Sequence, residues 1–162
     1  MSTLLTPPAV RTLTSNASDH CMIPVVKTPA DYRAFRIHNH DTNRLAIIFD
    51  PNNAAASLTV CVEIFDPGGA TPPNRHQIAV EMFFILEGQG IASCDGKEVC
   101  IQAGDSLLVP PTGTHQIINT GAGRLYALCF MVPNEDFVEL IQSGVPVELD
   151  EEDLRVLQRV RR

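Results

Sequence analysis

The sequence has 162 residues, 44% hydrophobic and 19% charged, a composition that fits one ordinary globular domain and excludes a disordered chain. Its formal charge of −7 repels a phosphate backbone from the average surface, so nucleic acid is not an expected partner. No stretch is long enough to span a membrane, and Met1–Asn16 has neither the basic lead-in nor the apolar run of a signal peptide, so the expected setting is the cytoplasm.

In chain order, residues 1–20 are rich in Thr, Ser and Pro and are expected to form a flexible N-terminal segment. Short extended pieces follow at Met22–Lys27 and Arg44–Phe49, with a helical turn possible over Asp31–Phe35. His38-Asn39-His40 sits in a polar run and reads as surface loop. From Leu58 the punctuation becomes regular. Leu58–Phe65 ends at Asp66-Pro67-Gly68-Gly69, and Glu81–Leu86 ends at Gly88-Gln89-Gly90. Ile91–Cys94 and Glu98–Gln102 flank Asp95-Gly96, a two-residue hairpin signal because both positions tolerate positive φ. Ser106–Val109 stops at Pro110-Pro111, and Gly121-Ala122-Gly123 joins Thr114–Asn119 to Arg124–Val132.

Short strands at such intervals predict an all-β antiparallel sandwich or barrel. Met82–Leu86 and Ala127–Val132 are apolar on both faces, so each face needs a cover, within the domain or from a second subunit. That pattern predicts a homodimer. Asn134–Gln142 and the stretch opened by Asp150-Glu151-Glu152-Asp153 have helical spacing and read as short C-terminal helices packed on the surface. The tail Arg155, Arg159, Arg161 and Arg162 reads as a solvated helix face. Five scattered cysteines (Cys21, Cys61, Cys94, Cys100 and Cys129) form no Cys-x-x-Cys pair and read as free thiols.

One constellation carries chemistry. Asn74 and His76 are two apart and share a face if extended, whereas Glu81 lies at an odd offset from His76. A bend must therefore intervene, yet Ile78-Ala79-Val80 holds no turn residue. His115 follows the Pro110–Gly113 corner. Two imidazoles and a carboxylate suit one divalent ion of iron, manganese, nickel, zinc or copper, with positions left open for substrate and oxygen. Spacing alone leaves the set open, because His and Glu are common.

These segments resemble the two signature motifs of the cupin superfamily. The first is met by Gly68, Asn74, His76, Glu81 and Gly88, within which Glu81-Met-Phe-Phe-Ile-Leu-Glu-Gly88 is especially close. The second is met by Gly104, Pro110, His115 and Asn119, with Thr112 at the family's glycine position and the glycine displaced to Gly113. The resemblance covers the motif core at 58–133 and implies a jelly-roll β-barrel there; with the flanking extended pieces the barrel is expected over residues 21–133, and the helical spacing places a helical segment over 134–162. The resemblance implies a metal held by His76, Glu81 and His115, with Glu81 as the catalytic carboxylate. Asn74 stands in place of the first family histidine, and its amide binds the metal weakly as a fourth donor, hydrogen-bonds a metal-bound water, or does neither.

The resemblance further implies a dioxygenase-like oxidoreductase acting on a small organic molecule. The alternatives are a metal-dependent isomerase or decarboxylase of a sugar or keto acid, or a cupin that binds a small molecule without turnover. Around the site, Phe83 and Ile85 share the face of Glu81 and are expected to line the cavity. Glu63 is a candidate general base if it faces inward, Tyr126 offers a phenol or an interface contact, and Asn119 is expected to brace the turn at Gly121.

Overall fold

The computed structural model describes residues 24–158. The N-terminal segment 1–20, Cys21, the start of the extended piece at Met22, and Arg159, Arg161 and Arg162 lie outside the described residues. A single 3-10 turn at Pro29–Asp31 leads into β1 (Arg33–Arg36) and β2 (Asn43–Phe49). The helical turn expected over Asp31–Phe35 is thus confined to its start, because Ala34 and Phe35 pair with β2 and are buried. A one-turn α1 (Pro51–Ala54) precedes β3 (Thr59–Phe65), β4 (Val80–Glu87), β5 (Gln89–Cys94) and β6 (Lys97–Gln102). The chain continues with β7 (Ser106–Val109), β8 (His115–Asn119), β9 (Leu125–Val132), α2 (Phe137–Gln142), β10 (Val145–Val147) and α3 (Glu151–Gln158).

The strands form an all-β antiparallel fold in two sheets, one of order β10-β1-β2-β3-β9-β4-β7 and one of order β6-β5-β8. Bridges from Ala70 to Ile118 and from Asn74 to His115 link the motif loop to the small sheet, so the barrel wall is two facing sheets and not a closed cylinder. Local chemistry places the corners. Asp95 and Gly96 take φ of 48° and 76°, as a tight hairpin between twisted strands demands. Gly88 turns the chain from the large sheet into the small one at φ 94°, and a Cβ there would stand 2.7 Å from the Arg124 carbonyl oxygen.

Alternation then decides what faces inward. Cys61, Glu63 and Phe65 on β3, Glu81, Phe83 and Ile85 on β4, and Ala127, Cys129 and Met131 on β9 are all buried within the barrel. On the outer face, Ala46, Val62, Ile64 and Tyr126 pack under Val156 of α3. Beneath α3 the Arg44 guanidinium meets Asp153 at 2.6 and 2.8 Å, and the Tyr126 hydroxyl donates to the same carboxylate at 3.0 Å. Tyr126 is therefore spent on fastening a helix to the outside of the sheet and offers no phenol to the interior.

Asn119 braces its turn as expected, accepting from the Gly121 N–H at 2.9 Å and donating to the Gly123 carbonyl at 2.8 Å. It also donates to the carbonyls of Phe65 and Asp66, tying the end of β8 to the end of β3. Beyond Pro133 the sequence pattern shows only helices, but Val145–Val147 pairs with β1 and extends the large sheet. No helix among the described residues is long and apolar enough to cross a membrane.

Candidate metal centre

His76, Glu81 and His115 converge inside the barrel, with one donor atom from each lying within 4.8 Å of the others. Glu81 Oε2 stands 2.9 Å from His115 Nε2 and 3.3 Å from His76 Nε2. Donors bonded side by side to one metal at about 2.0–2.2 Å lie roughly 3 Å apart, so the set fits a divalent ion. Burial alone would raise the Glu81 carboxyl pKa, but hydrogen bonds from His115 and His76 outweigh it and bring it down to about 2. Glu81 is thus an anion at any ordinary pH.

The surroundings fix the three donors. His115 Nδ1 donates to the Gly113 carbonyl at 3.1 Å, which orients the ring and turns Nε2 to the centre. The Cys129 thiol, kept protonated by the adjacent Cys61 thiol and by burial, donates to Glu81 Oε1 at 3.3 Å. Thr112 takes φ of 67°, which explains why the family has glycine there, and its N–H donates to the His76 carbonyl at 2.7 Å. The displaced Gly113 has its own reason, since a Cβ there would sit 2.7 Å from Cys94 Sγ.

Asn74 lines the same cavity, but its observed bonds serve the backbone. Its N–H and carbonyl pair with His115 at 3.0 and 2.8 Å, and its amide nitrogen donates to the Pro72 carbonyl at 3.1 Å. The bend that the odd offset to Glu81 required lies at Gln77–Ile78 and is held by a remote carboxylate, that of Glu135. No local turn residue was there to reveal it.

The three donors sit on a cavity of about 410 Å³, within the range of small-molecule sites. Its walls include Leu45, Phe83, Ile117, Met131 and Phe137. Ile85, expected beside Phe83, is fully buried in the core and is absent from the lining because it lies one pleat further from the mouth. The segment from Glu135 to Leu140, read from sequence as surface packing, instead forms part of the cavity wall. His38 reaches the rim, is largely exposed and pairs with Asp41 at 3.4 Å, as a surface loop residue would. Arg75 lines the mouth and has no carboxylate partner among the described residues, unlike Arg33, Arg36, Arg44, Arg124 and Arg155.

Glu63 does face the cavity and is 4% exposed. Burial first, and the neighbouring Glu81 charge second, push its carboxyl up to about 8 against the opposing Asn43 amide, which donates to Oε1 at 2.6 Å. At neutral pH in the metal-free protein Glu63 holds its proton and is an acid before it is a base. Sequence parity could not choose its face, because the register of β3 is set by β2 and β9.

A family model described as a Cupin domain matches residues 61–131. Over 66 residues, 41% of this chain, the sequence is 33% identical to an oxalate-binding protein of Thermotoga maritima, covering 54% of that protein. It is 30% identical over 63 residues to gentisate 1,2 dioxygenase 1 of Aquipseudomonas alcaligenes, covering 39% of this chain and 18% of the dioxygenase. The chain therefore spans about half the length of the first of these relatives and much less of the second. The crystal structure of a predicted oxalate decarboxylase from Thermotoga maritima superposes with a TM-score of 0.61 at 24% identity, covering 67% of this chain and 99% of that one, a likeness of fold.

Proposed function

This chain belongs to the cupin superfamily through the domain at residues 61–131, and from that premise we propose that it is a metal-dependent oxidoreductase of the dioxygenase kind, acting on a small organic acid. The observation that carries the proposal is the donor cluster His76, Glu81 and His115 at an otherwise largely apolar cavity. Asn74, at the cavity wall, supplies the amide oxygen of a fourth, weaker donor in the proposed set. When bound, a divalent metal supplies Lewis acidity and, in the case of iron, redox chemistry with dioxygen.

The chain's own residues do the rest. Glu81 contributes the single negative charge at the centre, and the Gly113 carbonyl and Cys129 thiol keep His115 and Glu81 aimed. Phe83, Met131 and Phe137 exclude water from the reacting molecule. Arg75 places at the mouth a positive charge that pairs with no carboxylate among the described residues, which favours an anionic ligand. Oxalate and gentisate, the molecules in the relatives' names, are both small carboxylates and are the natural first probes.

Glu63 favours a second reading. A buried acid that keeps its proton beside the cavity is suited to deliver that proton to a carbanion, as a decarboxylase or isomerase requires. Oxygen consumption separates the two. Protein loaded with iron(II) is expected to consume oxygen in an electrode assay with a small carboxylate substrate, and Glu81→Gln is not. Carbon dioxide release without oxygen consumption would move the assignment to the decarboxylase.

We also propose that the protein is a homodimer. Phe130, Met82 and Leu108 are neighbours across β9, β4 and β7 on the outer face, and they are 37%, 38% and 59% exposed. Phe84 and Val132 widen the same patch, which α3 leaves uncovered. Light scattering is expected to give twice the chain mass, and Met82→Lys should shift it to that of one chain. A wild-type monomer at working concentration would contradict the assembly.

A further inference from the structure

Two of the three donors, His76 and Glu81, belong to a stretch with no glycine, proline or asparagine between them to set its bend. Gln77, Ile78 and Ala79 instead present three consecutive N–H groups to one carboxylate, that of Glu135, at 2.6, 3.0 and 2.8 Å. Among the described residues no strand pairing uses these amides, and the carboxylate satisfies all three donors. Bonds to an ionised acceptor are roughly twice as strong as neutral ones. Glu135 is presented by a turn in which it and Asp136 both adopt left-handed φ, 47° and 61°, a conformation that persists only where the surrounding structure enforces it. The same turn sets the Phe137 ring edge-on to the His76 ring, with centroids 6.1 Å apart at 65°.

The three donors are not equally held. Glu81 lies in β4 between β7 and β9, and His115 lies in β8, whereas His76 belongs to no strand and is the most exposed of the three. On the reading that these residues bind a metal, we propose that Glu135 is a positioning residue of the centre: by clamping the Gln77–Ala79 backbone it fixes where His76 presents Nε2. The bond from the Thr112 N–H to the His76 carbonyl holds the near side of the loop, and Glu135 holds the far side.

The test compares Glu135→Gln with wild type in two readouts. Amide hydrogen exchange at Gln77–Ala79 in the metal-free protein reports the clamp, and cobalt(II) binding followed by visible absorption reports the centre. A glutamine side chain keeps the shape but lacks the charge and second acceptor oxygen that three N–H groups need. Exchange at these amides is expected to accelerate, and cobalt affinity to fall roughly 10–100-fold, the usual effect of losing a partner that orients a ligand. Cobalt affinity within twofold of wild type, or unchanged exchange, would overturn the proposal. Should Glu135→Gln fail to fold, Glu135→Asp keeps the charge on a shorter arm and carries the same two readouts. Wild-type protein that takes up neither cobalt nor iron, manganese, nickel, zinc or copper would overturn the metal reading instead. The ring nitrogen shifts of His76 in metal-free Glu135→Gln would then decide the positioning claim, with unchanged shifts counting against it.

Discussion

Replacing Glu81 by glutamine is expected to weaken divalent metal binding by more than about 100-fold, beyond what loss of an orienting partner costs. Glutamine preserves the size of the side chain and its oxygen toward the Cys129 thiol, so the barrel should fold normally. What disappears is the one anion between two imidazoles, held ionised down to a pH of about 2 by the hydrogen bonds from His115 and His76 in spite of its burial. Without it, a dication at the centre faces two neutral nitrogens and no charge to offset its own desolvation. His115→Ala should act in the same direction by removing a nitrogen donor. Titration with manganese(II) or cobalt(II) and circular dichroism on the same samples would check both variants. A folded Glu81→Gln protein that binds metal within tenfold of wild type would remove Glu81 from the centre.

Glu63→Gln is expected to stabilise the metal-free protein, and more so at pH 8 than at pH 5. The Glu63 carboxyl pKa rises from an ordinary 4.5 to about 8 on folding, because of its burial and the nearby Glu81 charge. Between those values the unfolded chain has released this proton and the folded chain has kept it. Stability therefore falls as pH rises through the window, by about 1.4 kcal/mol per pH unit at most, and levels off above 8. The accumulated cost reaches the order of 4 kcal/mol at pH 8. Glutamine carries no proton to lose and can still accept from the Asn43 amide, so the variant should escape this loss. Denaturant unfolding at several pH values in the presence of chelator would show the two stability curves converging toward pH 5 and separating toward pH 8. Parallel curves would mean that Glu63 ionises freely and is no proton store for the cavity.

The parts of the fold that were legible in the sequence are those written in local chemistry. Asp95-Gly96 announces its hairpin because positive φ is a property of the residues themselves, and Gly88 marks a corner where no Cβ fits. His76, Glu81 and His115 are legible through the resemblance, which supplies the inward direction that their odd spacing withholds. Glu63 was legible only as a question, since alternation gives two faces but not which of them is inside. Glu135 was not legible at all. It lies 58 residues after Gln77, in a region that neither the motifs nor the matched family domain reach, and its role appears only when three amide groups are seen meeting it. The same holds for Phe137, whose helical spacing showed an apolar residue but not that the cavity lies beneath it. Thr112 shows the reverse case: the family register marked the position as a glycine site, and the structure supplies the reason in its φ of 67°.

A barrel built around a metal must take one up and hold it. Elemental analysis of protein purified without a histidine tag and reconstituted with divalent iron, manganese, nickel, zinc and copper in turn tests it most directly. About one equivalent of at least one of these ions per chain is expected, retained through gel filtration and lost in His115→Ala. Less than roughly a tenth of an equivalent of every ion after reconstitution would contradict it, and would leave His76, Glu81 and His115 as a hydrogen-bonded triad in a cupin shell.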